Sequence, residues 1–353
     1  MNPILGTALT VLFASVAAYA RWGKVKLLHG LGFTFSVFAF GAAALTFPPL
    51  FISWGGFELK RTIVPLVQLI LFGMGMTLSF DDFRRVLRMP KAVFVGFGLQ
   101  YTVMPVVGFL CARAFGLEAE VAAGLILIGS CPGGVASNVI AYLAKANVPL
   151  SVTMTACSTM LSPLATPLAM KLLAGTYVPI AALPMMWSIL KMIILPLVLG
   201  ILIHRYLPKL ARQLVKVLPF LAMLSICVVI AVTIALSRDG LLDVGLALFA
   251  AAACHNAIGY LLGYQGARLA GLNACDCRTV ALEVGIQNGG MATGLAFNVL
   301  NSAKAAMGSA MFGPWSAITS SALASWWGRN GTETEVTEAL EGQDTSSPEG
   351  GLS

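Results

Sequence analysis

Gly129-Ser130-Cys131-Pro132-Gly133-Gly134-Val135-Ala136-Ser137-Asn138 lies in the middle of an apolar run from 121 to 143. A run of that length can cross a bilayer as a helix, which takes ~20 residues. Yet Pro132 removes a backbone donor and clashes with the preceding turn, and Gly133 and Gly134 loosen the helix further. Backbone groups freed at that depth cannot face lipid, so they must line a protein cavity or bind something. The stretch reads as a broken membrane helix, with the oxygens of Ser137 and Asn138 beside the break.

A second run, 279 to 300, carries Glu283-Val284-Gly285-Ile286-Gln287-Asn288-Gly289-Gly290. Here too glycines and polar groups cluster in one place. Glu283 is the only carboxylate placed well inside an apolar run, and Lys191 is the only basic group well inside another. An unpaired charge at that depth costs at least ~2.5–3.5 kcal/mol, and a bound cation would compensate it. Carboxylate, amide and hydroxyl oxygens with freed carbonyls are hard donors, and no thiolate or imidazole stands beside them. Na⁺ fits, and a proton on Glu283 is the competing choice. The plainer alternative is that these groups only tie helices together. Two breaks at matching places, with one carboxylate between them, weigh against it.

The rest of the chain agrees with a membrane reading. Of 353 residues, 58% are hydrophobic and 10% charged, where a soluble domain carries ~25% charge. That excludes a soluble enzyme, a disordered chain and a disulfide scaffold. A β-barrel would alternate apolar with polar residues, and this chain has long continuous runs. Helices are expected near 3–20, 31–53, 63–79, 92–113, 121–143, 150–173, 180–203, 217–236, 244–270, 279–300 and 305–327. Apart from the first run, two sets of five remain, 31–173 and 180–327. An odd number of spans per half inserts the second half upside down, as in the inverted repeats of secondary transporters. The expected fold is therefore all-α and polytopic, with ten core transmembrane helices in two inverted five-helix repeats. The fourth helix of each repeat is the broken one.

Met1 to Ala20 is apolar and ends Ala18-Tyr19-Ala20, a small-residue pattern that a signal peptidase could cleave. No Lys or Arg precedes it, so residues 1–30 are expected to be an extra membrane or interfacial helix followed by a basic loop. Lys and Arg total 22 against 15 Asp and Glu. Alternating the loops between two faces puts 15 basic residues on one side and 7 on the other, which makes the richer face cytoplasmic. Residues 328–353 are Gly-, Ser-, Thr- and Glu-rich and are expected to form a disordered acidic cytoplasmic tail. No basic stretch interleaves with aromatics, so a nucleic-acid partner is not expected. Cysteines such as Cys131 and Cys227 lie in apolar runs as small core residues. Cys275-Asp276-Cys277 is too tight for zinc. Lys191 is expected to snorkel outward, and His255-Asn256 to bond between helices.

These motifs together resemble the bile acid:sodium symporter family with its bacterial and plastid relatives. The resemblance runs from about 27 to 328. It is carried by Phe72-Gly73-Met74-Gly75-Met76-Thr77, Cys131 to Asn138, Asn147-Val148-Pro149-Leu150-Ser151-Val152-Thr153 and Ser158 to Pro167. His255-Asn256-Ala257-Ile258-Gly259-Tyr260 and Glu283 to Asn288 complete it. The resemblance implies a core domain of the third to fifth helices of each half, in which the breaks cross. It also implies a panel domain of the first two helices of each half. The function implied is Na⁺-coupled uptake of an organic anion by alternating access, in a bacterial inner membrane, without enzymatic activity. Carried over by position, it implies one Na⁺ held by Ser137, Asn138, Ser151, Thr155 and Glu283. A second would be held by Gln100, Glu283, Gln287 and the main-chain carbonyls of Val284 and Ile286.

For the substrate, the resemblance points to Asn288, to the half-helix N-termini near Val135 and Gly289, and to Ser316. Helix N-termini attract carboxylates. This chain has Val135 where bacterial relatives often have Thr, and Trp315-Ser316-Ala317 where they often have Asn or His-Asn. Both departures remove hydrogen-bonding groups from the expected cavity. The expected cargo is a small carboxylate such as pantoate, or a 2-keto acid. A bile-acid-like steroid and a proton-coupled carrier of the same fold are the alternatives.

Overall fold

The computed structural model of the chain describes residues 3–22 and 32–330. Most of the basic loop expected before 31, and most of the acidic tail, lie outside the described residues. The helices are α1 (Pro3–Trp22), α2 (Gly32–Thr46), α3 (Ile63–Gly75), α4 (Pro90–Ala114), α5 (Ala119–Ser130), α6 (Ala136–Leu143) and α7 (Val148–Leu173). They continue as α8 (Ala182–Tyr206), with a π turn at Leu190–Ile194, and α9 (Pro208–Leu236). The last four are α10 (Arg238–Leu269), α11 (Ala274–Gly285), α12 (Gly289–Asn298) and α13 (Ala303–Asn330).

Among the described residues, five helices are long and apolar enough to cross a membrane. A sixth crosses if Leu59–Gly75 and Phe80–Leu87, which meet at 76°, count as one span. The chain is a polytopic helical membrane protein. The halves of each broken run are too short to cross alone. At 1.5 Å per residue, α5 with α6, and α11 with α12, each add up to about 30 Å, the thickness of a hydrocarbon core.

Several boundaries depart from the sequence reading. The second run stops as a helix at Thr46, because Pro48 and Pro49 follow. A short helical turn, Pro49–Ile52, and a two-residue hairpin, Ser53–Trp54 with Phe57–Glu58, occupy the rest. The hairpin turns on Gly55 and Gly56, at φ +54° and +86°, a pair suited to the backbone of a two-residue turn. α9 begins nine residues before its expected start, so Lys209, Arg212 and Lys216 ride on a helix rather than in a loop. α10 begins six residues early, separated from α9 only by Ser237. α13 continues to Asn330, past the expected start of the tail at 328.

The helices pack in two groups. α4, α5, α7, α10, α11 and α13 lie against one another, with α12 against α13. α2, α3, α8 and α9 form the second group, with α1 along α2. There the Phe13 ring rests 6.4 Å from that of Phe35 and 5.6 Å from that of Phe38. Lipid is as apolar as a leucine side chain, so close backbone approach rather than water exclusion holds such helices. At the α5–α13 contact, a Cβ on Gly124 would fall 2.0 Å from the carbonyl oxygen of Ala305, and one on Gly308 would fall 2.7 Å from Gly124. The two groups meet where α12 packs on α3 and α8, where α7 packs on α8, and where α13 packs on α9 and α2.

Candidate functional site

The two interrupted helices satisfy each other. Beyond α5, Cys131 is extended (φ −78°, ψ 160°), and beyond α11, Ile286 is extended (φ −99°, ψ 111°). The segments run antiparallel, with Gly133 opposite Gln287. Gly134 N–H donates to the Ile286 carbonyl at 2.8 Å, and Asn288 N–H donates to the Pro132 carbonyl at 3.0 Å. Pro132 has no N–H to leave unpaired, and its carbonyl is used. Groups that lipid could not have satisfied thus pair across the crossing.

Side chains close the remaining helix ends. Thr166 Oγ1 donates to the Ser130 carbonyl at 2.7 Å, and Gln100 Nε2 donates to that of Cys131 at 2.8 Å. Asn256 Nδ2 donates to the Gly285 carbonyl at 2.9 Å and accepts on Oδ1 from Thr319 at 2.7 Å. Asn288 Oδ1 caps α12 by accepting from Met291 N–H at 3.0 Å. The expected helix-to-helix role of His255-Asn256 is visible: His255 Nε2 also lies 2.9 Å from the Met104 carbonyl. Thr166 and Thr319 were missed by sequence reasoning. A threonine facing a break many residues away in the chain has no local pattern.

Glu283 is 2% exposed, and both its oxygens accept hydrogen bonds. Ser137 and Ser151 donate to Oε1, and Thr155 donates to Oε2 at 2.8 Å. Asn138 Oδ1 lies 2.9 Å from Ser151 Oγ and 3.4 Å from Thr155 Oγ1, and the Ser137 and Thr155 hydroxyls are 3.3 Å apart. α6, α7 and α11 each contribute to this cluster. Gly133 leaves the room for it, since a Cβ there would sit 2.7 Å from Glu283 Oε2. Six oxygens make six close contacts here, yet each hydroxyl has a single hydrogen. Among the described residues no basic side chain forms an ion pair with Glu283. Oxygens crowded beyond what their hydrogens can bridge, around an unpaired carboxylate, suit a small hard cation.

Gln100, Gln287 and Val284 form an adjoining group. Gln100 Nε2 donates to Gln287 Oε1 at 2.8 Å, and Gln287 Nε2 donates to the Val284 carbonyl at 2.6 Å. The Ile286 carbonyl already takes the Gly134 N–H. The Glu283 carboxylate takes its hydrogen bonds from the first cluster. Of the residues named for substrate, Val135 is half-buried at the start of α6, and Gly289 opens α12. The Asn288 oxygen is occupied as a cap. Ser316 is buried, with its hydroxyl donating to the Gly313 carbonyl at 2.9 Å.

The decisive comparison is with protein families. Residues 64–244 match the model of the sodium bile acid symporter family. The chain belongs to this family. It is 37% identical over 309 residues to a Bacillus subtilis protein named "Uncharacterized sodium-dependent transporter YocS", covering 86% of this chain and 94% of that one. It is 37% identical over 269 residues to "Probable sodium/metabolite cotransporter BASS1, chloroplastic" of Arabidopsis thaliana, covering 76% of this chain and 67% of the relative. Identity to the human "Ileal sodium/bile acid cotransporter" is 31% over 234 residues, covering 65% and 67%. As a member of the sodium bile acid symporter family, the chain belongs among sodium-dependent transporters. Within that family the match takes in Gln100, Ser137, Asn138, Ser151 and Thr155, while Glu283 and Gln287 lie beyond its end.

Proposed function

We propose that the chain is a sodium-coupled symporter of a small organic anion, working by alternating access. The observation that carries this reading is Glu283. It is a buried carboxylate without a basic partner among the described residues, ringed by oxygens from α6 and α7. Leaving such a charge unpaired costs several kcal/mol, and one Na⁺ in the cluster of Ser137, Asn138, Ser151, Thr155 and Glu283 removes that cost. A second Na⁺ takes Gln100, Gln287, Glu283 and the carbonyls of Val284 and Ile286. To admit it, the Gln287 amide turns away from Val284. Sharing Glu283 then couples the two ions.

The architecture in this reading is ten core helices in two inverted repeats, 31–173 and 180–327, with α1 as an addition and residues 328–353 as a tail. The group containing both breaks moves against the group of α2, α3, α8 and α9. The loop-charge asymmetry supports a cytoplasmic C-terminus, and we place the chain in a bacterial plasma membrane. Ions fix the unwound segments, and ordering by the first ligand lowers the cost of the second. The cargo sits near Val135, Gly289, Asn288 and Ser316, where the N-termini of α6 and α12 favour a carboxylate. The Ser316 hydroxyl and the Asn288 oxygen are already engaged. A small carboxylate such as pantoate, or a 2-keto acid, is the first cargo in this reading, and a bile-acid-like steroid is the alternative.

The test is thermal stability of the purified protein in NaCl, KCl and choline chloride, each with a panel of small carboxylates and a bile acid. Mass action predicts about 2.7 kcal/mol of stabilisation at 100-fold excess over Kd. A shift specific to Na⁺, extended by one carboxylate, supports the symporter and names its cargo. Equal stability in all three salts, with a shift only on lowering pH, transfers the coupling to a proton on Glu283.

A further inference from the structure

A concave basic surface lies outside the crossing. After α3 the chain turns through 76° into Phe80–Leu87. Where α3 crosses a bilayer, this segment therefore runs along the membrane surface rather than through it. A capping box starts it: the Ser79 N–H and Oγ donate to Asp82 Oδ2 at 2.7 and 2.9 Å. Asp81, Arg84, Arg85 and Arg88 then fall three and four residues apart, on one helical stripe. They line a cavity of about 350 Å³.

Three guanidiniums against two carboxylates leave this cavity positive. The Asp82 carboxylate is buried and holds Arg85 at 3.1 Å. Asp81 pairs with Arg84 at 3.2 Å, but their side chains are 76% and 78% exposed. Such a pair is worth under ~1 kcal/mol and yields to a stronger anion. Arg88 is exposed and makes no ion pair among the described residues. Arginine forks match phosphate oxygens two at a time. Apolar groups border the same cavity. Leu87, between Arg84 and Arg88, is 83% exposed, and Phe80 is 42% exposed. The Arg205 guanidinium at the end of α8 stands 5.1 Å over the Phe80 ring. His204 Nδ1 lies 3.0 Å from the Leu78 carbonyl, so the end of α8 closes on the segment and adds a fourth guanidinium beside it. Arginines together with an exposed leucine and phenylalanine suit a segment held at the boundary of headgroups and acyl chains.

We propose that this cavity docks an anionic phospholipid, its phosphodiester held by Arg84, Arg85 and Arg88 and its acyl chains lying on Leu87 and Phe80. The site needs only that the chain spans a membrane, and it is independent of the ion and cargo assigned above. A zwitterionic lipid brings an ammonium that the guanidiniums repel. A phosphate dissolved in water lacks the chains that the apolar border takes.

The experiment titrates the purified whole chain with dioctanoyl phosphatidylglycerol and dioctanoyl phosphatidylcholine, and reads bound lipid by native mass spectrometry. Wild type should bind phosphatidylglycerol about tenfold more tightly than phosphatidylcholine. Arg84→Gln with Arg88→Gln should weaken phosphatidylglycerol about tenfold, and Arg84→Lys with Arg88→Lys should recover part of that loss. Arg212→Gln with Lys216→Gln removes equal charge from α9, outside the cavity, and should stay within about twofold of wild type. Equal weakening by the two Gln pairs reduces the attraction to a diffuse field and overturns the site. Equal affinity for the two lipids overturns it as well. Leu87→Gln leaves every charge in place and should weaken phosphatidylglycerol about fivefold through lost acyl contact; an unchanged affinity overturns the lipid assignment even if the arginine variants fail to fold. Glycerol 3-phosphate is the third probe, and binding as tight as that of phosphatidylglycerol would hand the cavity to a soluble phosphate and overturn the proposal.

Discussion

At the scale of single residues, everything turns on Glu283 and the atoms within reach of it. Glu283→Gln keeps the shape and removes the charge. It should abolish the difference between NaCl and KCl in thermal stability while leaving stability in KCl near wild type. Ser151→Ala and Thr155→Val each remove one oxygen and should weaken apparent Na⁺ affinity about tenfold, the effect of ~1.4 kcal/mol, in a Na⁺ titration of thermal shift. Gly133→Ala tests the space rather than the ligands. Its Cβ would lie 2.7 Å from Glu283 Oε2, so the carboxylate must turn away. The variant should lose Na⁺ response although no oxygen has been deleted. A Gly133→Ala protein with a normal Na⁺ titration would show that the carboxylate has room to spare and that the cluster is looser than described.

At the scale of elements, the helix ends at the breaks depend on side chains from elsewhere. Thr166→Val leaves the Ser130 carbonyl without its donor, and Asn256→Ala does the same to Gly285. A buried group left unsatisfied costs about 1–3 kcal/mol, so both variants should unfold earlier in KCl by that amount. Part of the loss should return in saturating NaCl, because ions order the same segments. The breaks themselves were legible in the sequence, since Pro132-Gly133-Gly134 interrupts one helix and Gly285 and Gly289-Gly290 flank the interruption in the other. The grouping of Ser137, Asn138, Ser151, Thr155 and Glu283 was legible only through the family motifs. Ser151 and Thr155 alone read equally well as hydroxyls bonded back to their own helix. Three features were hidden for physical reasons. The 76° bend after Gly75 has no proline within it, and the long start of α9 was masked by lysines and arginines that favour helix as readily as loop. The bond from Thr166 to the Ser130 carbonyl and that from Thr319 to the Asn256 amide are long-range contacts, and a single sequence carries no trace of them.

At the scale of the whole molecule, sodium and cargo must influence each other equally. If cargo raises the apparent affinity for Na⁺ by some factor, Na⁺ must raise the affinity for cargo by the same factor. Titration calorimetry in both orders checks this, and unequal factors would break the scheme in which both ligands order one crossing. The pairing of Gly134 with Ile286, and of Asn288 with Pro132, also bears on how the chain is made. Its two strands belong to opposite halves of the polypeptide, and at ~5–20 residues per second the second leaves the ribosome many seconds after the first. Throughout that interval the newly inserted Pro132–Gly134 segment has no backbone partner. A nascent first half is therefore not a finished membrane object. It waits, shielded by the insertion machinery or by water, for a strand that has yet to be translated.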